Sequence, residues 1–297
     1  MTIVITGATG HLGRLVVEAL LDRDVPAEQI VAAGRDLGRI GDLAERGVRL
    51  VPIDYTDIAS LEKAFIGADR VLLVSSSAVG QRVEQHQNAI DAAKAAGIEL
   101  LVYTSIANAD GTAMDLAAEH QATEKLLAES EVPHAVLRNG WYLENYTDQL
   151  PGCLQHGALL GSAGAGRVSA ATRADYADAA AAVLLSEDQA GRVYELGGDE
   201  AFTLPELAET ITAAAGRPVV YQDLPADQYA SALVAAGVPA PMAAVLADSD
   251  LGIARGNLVV SSGDLSRLIG RPTTTMKDAV QAAVRTLAGN GDAPGGR

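Results

Sequence analysis

A doubly wound α/β fold, with a parallel sheet carrying helices on both faces, is what this chain of 297 residues predicts. Three observations carry that prediction. Short, continuously apolar strands recur through residues 1–140 and are separated by amphipathic helical stretches, the pattern of a sheet buried on both sides. The first strand runs straight into glycines spaced TGxxGxxG. In the last third helices dominate, which marks a smaller α/β lobe at the C-terminal end.

The strands, in order, are TIVIT (2–6), QIVAAG (29–34), VRLVPI (48–53), RVLLVS (70–75), ELLVYTS (99–105) and HAVLRN (134–139). Between them the helical stretches include Leu12 to Leu21, Glu84 to Ala96 and Ala117 to Ser130. A helix at 175–186 and a strand-like RVYELGG at 192–198 follow, and residues 168–198 are expected to return to the first domain. The smaller lobe is assigned 141–167 and 199–287, with helices over Leu204–Ala215, Ala226–Ala236, Pro239–Asp248 and Thr275–Leu287 and a strand PVVYQD at 218–223. The tail AGNGDAPGGR, 288–297, is Gly-rich and is read as disordered.

Composition excludes several functions. The formal charge is −16 with no Lys/Arg run, which disfavours nucleic acid and anionic membrane surfaces as partners. No apolar run reaches the roughly 18 residues of a membrane span, and the first strand begins at Thr2, so a cytoplasmic protein without membrane insertion is expected. The one cysteine, Cys153, reads as a small buried apolar residue, and the five histidines lack ligand spacing, so no metal is expected.

The glycine turn carries the first chemistry. Gly7 permits the sharp turn after the strand, Gly10 lets backbone amides approach a pyrophosphate, and Gly13 lets the helix pack close to the sheet. The helix start adds free N–H groups and partial positive charge. Dinucleotide binding on a Rossmann-type domain follows. At the end of the second strand Arg35 stands where an NAD site usually has an acid, and Arg39 follows, a pair suited to the 2′-phosphate of NADPH. Asp36 offers a competing ion pair for Arg39. Asp54, after the third strand, reads either as an adenine contact or as a loop cap. Ser75, Ser76 and Ser77 after the fourth strand, and Thr104 in the fifth, lie on the same rim. They read as ribose contacts or as helix caps.

A reductase of the short-chain type uses a tyrosine with a lysine four residues on, but none of the eight tyrosines here has that lysine. His120 and Glu124 occupy the helix where that pair belongs. His120 is a candidate ribose contact or proton donor, with a surface histidine paired to Glu124 as the alternative.

The stretches TGATGHLG, SSSAVGQR, YTSIANAD, EHQATEKLLAES, LRNGWYLENY, ATRADYADAAA, YELGGD and LADSDLG together resemble the NmrA-like branch of the atypical short-chain dehydrogenases. They are most similar to its bacterial NAD(P)H:quinone oxidoreductases of type 2. The resemblance runs to about residue 285. It implies NADPH along the strand ends, no flavin, and a small-molecule quinone reduced between the two lobes. It also implies that Gly7, Thr9, Gly10, His11 and Leu12 surround the pyrophosphate and that Arg35 meets the 2′-phosphate. Ser75 to Ser77 and Asn139, Gly140, Trp141 and Tyr142 would lie along the nicotinamide half. A quinone is a good hydride acceptor, so Asn139 and Tyr142 are the candidate donors to the developing oxyanion, with packing of the lobe as the alternative for Trp141 and Tyr142. Arg173 is a further candidate for a cofactor phosphate, and Asp175 reads as a helix N-cap. The rival function is a non-catalytic, NADP(H)-sensing regulator of a protein partner. The oligomeric state stays open.

Overall fold

The computed structural model describes residues 1–291. The first half of the chain alternates β1 (Ile3–Ile5), α1 (His11–Leu21), β2 (Ile30–Gly34), α2 (Gly41–Glu45), β3 (Arg49–Pro52), α3 (Ile58–Phe65), β4 (Arg70–Leu73), α4 (Arg82–Ala96), β5 (Leu100–Ile106), α5 (Asp115–Glu129) and β6 (His134–Asn139). Then come α6 (Glu144–Thr147), α7 (Leu150–His156), β7 (Ala158–Gly161), β8 (Arg167–Val168), α8 (Arg173–Leu185), β9 (Val193–Leu196), β10 (Phe202–Thr203), α9 (Leu204–Ala215), β11 (Val220–Asp223), α10 (Ala226–Ala235), α11 (Ala240–Ala254), α12 (Asp264–Ile269) and α13 (Met276–Gly291).

Seven strands form one sheet in the order β3-β2-β1-β4-β5-β6-β9, and every pairing is parallel. Strand side chains alternate between two cores, as the pleat requires. Ile3, Ile5, Ala32, Leu72, Val102 and Leu137 face α1 and α8, while Val4, Val31, Val71, Leu73, Leu101 and Val136 face the side of Phe65, Ile90 and Leu127, on α3, α4 and α5. Strand order reverses between β1 and β4, and a crevice opens at the carboxyl ends of the strands at such a switch point.

A third core lies beyond the end of the sheet and is built from Trp141, Tyr146, Phe202, Leu207, Ile211, Ile253 and Val280, with buried Cys153 among them. Two small sheets, β10-β8 antiparallel and β11-β7 parallel, brace it. A reciprocal capping box starts α9: Thr203 Oγ1 accepts from the Glu206 amide and Glu206 Oε2 accepts from the Thr203 amide. Helix α11 runs to Ala254, beyond the 239–248 expected: Gly252 is accommodated inside it, buried against Met114, and the turn comes only at Gly256, with φ +79°. Helix α13 continues to Gly291, into the stretch read as tail, and 292–297 lie outside the described residues.

The N-cap of α8 is Thr172, whose Oγ1 accepts from the Asp175 amide. That corrects the reading of Asp175 as the cap. Asp175 sits in the first turn, fully buried, and its carboxylate accepts from the Arg271 guanidinium (2.6 Å), the Thr172 hydroxyl (2.8 Å) and the Thr274 amide (3.0 Å).

Candidate functional site

A cleft of about 280 Å³ occupies the switch point. Gly7, Thr9 and Gly10 form its floor, Arg35, Arg39 and Asp54 its outer end, and Val74, Ser75, Ser76 and Ser77 its inner wall. Gly7 has φ +62°, a left-handed conformation that favours glycine. A Cβ on Gly13 would overlap the Gly7 carbonyl, so only glycine lets α1 start this close to the turn. Helix α1 has no side-chain cap, which leaves the first-turn amides of His11, Leu12 and Gly13 for a ligand. None of these three residues puts a side chain into the cleft wall; what they offer is backbone.

Arg35 and Arg39 are exposed, and among the described residues neither is within ion-pair distance of a carboxylate. Asp36 therefore does not occupy Arg39. Nearby Arg14 absorbs Asp42 and Glu18 instead, at 2.5 and 2.9 Å. Asp54 lines the cleft and also acts as the loop cap, its Oδ1 accepting from the Thr56 amide and hydroxyl at 2.8 and 2.7 Å. Those bonds hold its carboxyl below the usual range.

The serine wall is held from behind. Thr104 Oγ1 accepts from the Ser75 amide at 2.9 Å, so Thr104 supports the wall rather than lining it. Ser76 donates from its amide to His86 Nε2 (2.9 Å) and from its hydroxyl to Gln85 Oε1 (2.5 Å). Since Nε2 accepts, the His86 proton sits on Nδ1, 2.9 Å from Thr123 Oγ1. Burial, with Arg82 nearby, pushes His86 down to about 3 and keeps it neutral. Tyr55, Gln85, Val74 and Ala78 are wall residues that sequence reasoning missed. Val74, directly after β4, and Tyr55, next to Asp54, carry a positional signal, whereas Gln85 lies inside α4.

The remaining candidates lie elsewhere. His120 is 5% exposed, its Nδ1 2.8 Å from the Tyr103 hydroxyl in the packing between α5 and the sheet. Burial pushes it down to about 3. At 5% exposure His120 is not the surface residue paired to Glu124 that one reading expected. Glu124 belongs instead to Arg138 (2.6 Å) and to Ser105. Asn139, Gly140 and Tyr142 border neither this cleft nor the cavity at Trp141. Asn139 is buried with Oδ1 lacking any partner. Gly140 fits against the Leu196 carbonyl, which a Cβ would approach to 3.0 Å. Tyr142 meets Tyr176 edge-on and carries the Arg173 guanidinium 5.1 Å from its ring centroid. Burial raises the Tyr142 hydroxyl above its ordinary value, and the Asn139 amide beside it partly offsets this. Arg173 is engaged there, 3.5 Å from Asp148, and not in the cleft.

A second cavity, about 170 Å³, opens where Trp141 leaves β6. Tyr146, Tyr229, Leu246 and Asp250 enclose it from the lobe, with Glu144 and Asp148 at its edge. Asp250 is 5% exposed and accepts from the Ser162 amide at 2.7 Å through Oδ2. The Tyr146 hydroxyl, also buried, has no partner at hydrogen-bond geometry, although the Trp141 indole is beside it. Among the described residues no group of acids, histidines or cysteines could hold a metal, and no helix is long and apolar enough to cross a membrane.

Sheet, glycine turn and uncapped helix define a Rossmann-type protein with the site of a dinucleotide binder. The chain belongs to the NmrA-like family, whose model matches residues 1–251. It is 49% identical to quinone oxidoreductase 2 of Escherichia coli over 278 residues, 94% of this chain and 97% of that one. A crystal structure of an NADPH-dependent quinone oxidoreductase from Escherichia coli complexed with NADPH matches with TM-score 0.91 at 48% identity, covering 95% of this chain and 99% of that chain. Triphenylmethane reductase of Citrobacter sp. complexed with NADP(H) matches with TM-score 0.90 at 36% identity, covering 95% and 100%.

Proposed function

We propose that the protein is an NADPH-dependent quinone oxidoreductase, with the dinucleotide in the switch-point cleft and the quinone in the Trp141 cavity at the sheet-facing start of the smaller lobe. The observation that carries the reading is the cleft: a glycine floor, an uncapped helix start beside it and two unpaired arginines at its wall. The similarity to quinone oxidoreductase 2 of Escherichia coli supports the acceptor class.

The residues present fit the cofactor. Arg35 and Arg39 would take the 2′-phosphate, the amides of His11, Leu12 and Gly13 with Gly10 the pyrophosphate, and Ser75 to Ser77 the nicotinamide ribose. When bound, NADPH supplies a hydride. The protein's share is placement, since a quinone gains aromaticity on reduction and needs little activation. Trp141 and Tyr229 supply flat apolar walls, and 170 Å³ is small for a ligand pocket, which favours one- or two-ring acceptors.

The test is NADPH oxidation with a benzoquinone or a naphthoquinone, run beside NADH and beside Arg35→Ala. Turnover that favours NADPH is expected, with the preference reduced by about tenfold or more in the variant. Tight NADPH binding without quinone-dependent oxidation would point to the regulator instead.

A further inference from the structure

We propose that Asp250 is the acid that protonates the reduced acceptor in the Trp141 cavity. The inference rests on the reading of that cavity as the acceptor site.

Three observations meet here. Asp250 is a carboxyl group in the wall of a cavity that also holds Trp141 and Tyr229, so it faces the space a flat acceptor would fill. Only one of its oxygens is committed: Oδ2 accepts from Ser162, and among the described residues nothing donates to Oδ1. Tyr146 lines the same cavity with a buried hydroxyl that has no partner, which is a costly arrangement unless a ligand or the transferred proton uses it. The surroundings favour the protonated acid. From β11 Asp223 and Tyr221 face Asp250, from α10 Tyr229, from α6 Tyr146, and at the cavity edge Glu144 and Asp148. No cation lines the cavity. Burial first, and then the Asp223 charge, push the carboxyl up to about 6, against the pull of the Ser162 amide.

The step balances. Quinone reduction takes up one hydride, two electrons with one proton, and leaves an oxyanion on the ring. The O–H bond of Asp250 breaks as the O–H bond of the hydroquinone forms, and the carboxylate recovers a proton from solvent through the cavity mouth. That transfer keeps the oxyanion from accumulating and so draws hydride transfer forward.

Asp250→Asn keeps an acceptor for the Ser162 amide while removing the acid. Quinone-dependent kcat is measured across the neutral range, from acid to alkaline pH, for wild type, Asp250→Asn and Asp250→Glu, with NADPH affinity followed by fluorescence. For wild type, kcat should fall about tenfold per pH unit above the Asp250 pKa. Asp250→Asn should lose about 100-fold in kcat and have no such limb, with NADPH affinity unchanged. Asp250→Glu should recover part of the rate on a displaced limb. An Asn variant that keeps the wild-type limb, or half the rate, overturns the proposal. Should the Asn variant not fold, a limb that stays unmoved in the Glu variant does the same. A wild type with no quinone turnover at all overturns the proposed function, and this inference with it.

Discussion

Gly13 shows how little freedom the glycine turn has. Its missing Cβ is what allows α1 to begin beside the Gly7 carbonyl, with Ala8 Cα only 2.9 Å from where the methyl would go. Gly13→Ala should therefore destabilise the fold by about 2 kcal/mol, because the obstacle is backbone and cannot rotate away. Gly41→Ala is the matched control, since nothing lies within 4 Å of its Cβ and its φ is −58°. Paired thermal melts decide the matter: equal melting temperatures for the two variants would refute the account. Among single residues, the members of the cleft are legible in the sequence because they are contiguous with strand ends. The turn, Arg35, Asp54 and the serine run each begin within two residues of a strand end. The fate of His120 is not legible, because α5 packs against both α4 and α11 and so buries more than one face. A helix covered on several sides loses the polar stripe from which exposure is inferred.

Among the elements, β6 carries a nearly buried charge. Arg138, 7% exposed, binds Glu124 of α5 at 2.6 Å, Glu195 of β9 at 3.0 Å and Asp110 of the loop after β5 at 2.8 Å. One guanidinium thus ties a helix, a neighbouring strand and a loop at the rim. Arg138→Met would leave Glu124, nearly buried, without its counter-charge, and should cost about 3 kcal/mol of stability. Urea unfolding measures this, and a loss below about 1 kcal/mol would show the cluster to be as weak as a surface pair. Strands of the large sheet are legible almost to their ends, since buried parallel strands are continuous apolar runs. The short elements of the lobe, β7, β8 and β10 among them, are not. With two to four residues each, they form because tertiary contacts hold them, and no local period announces them. The Trp141 cavity is hidden for a related reason: Trp141, Tyr229 and Asp250 meet only through the folding of the lobe.

For the molecule as a whole, acidification below neutral pH should be damaging. His86 and His120 titrate near 3 in the folded chain against 6.5 unfolded. The unfolded chain therefore binds protons that the folded one refuses, and their contribution is whole above about pH 6.5 and lost as pH falls toward 3. Asp250, at about 6 against 3.8, works the other way: its protonated form favours the fold, and its contribution is lost as pH rises through 6. Two histidines outweigh one aspartate, so near pH 5 stability should fall by about 1.4 kcal/mol per unit of acidification. Denaturant titrations at about pH 6 and about pH 5 test the sign. Equal or greater stability at the lower pH would mean that these rings are not neutral inside.

The chain leaves the sheet after β6, builds part of the lobe, comes back through α8 to lay down β9, and leaves again for β10. Because α8 packs on α1 and β9 on β6, each half contains a piece of the other's foundation. No single scissile point divides the protein into two self-sufficient fragments, and a gene cut after Asn139 would encode a torso without its last rib.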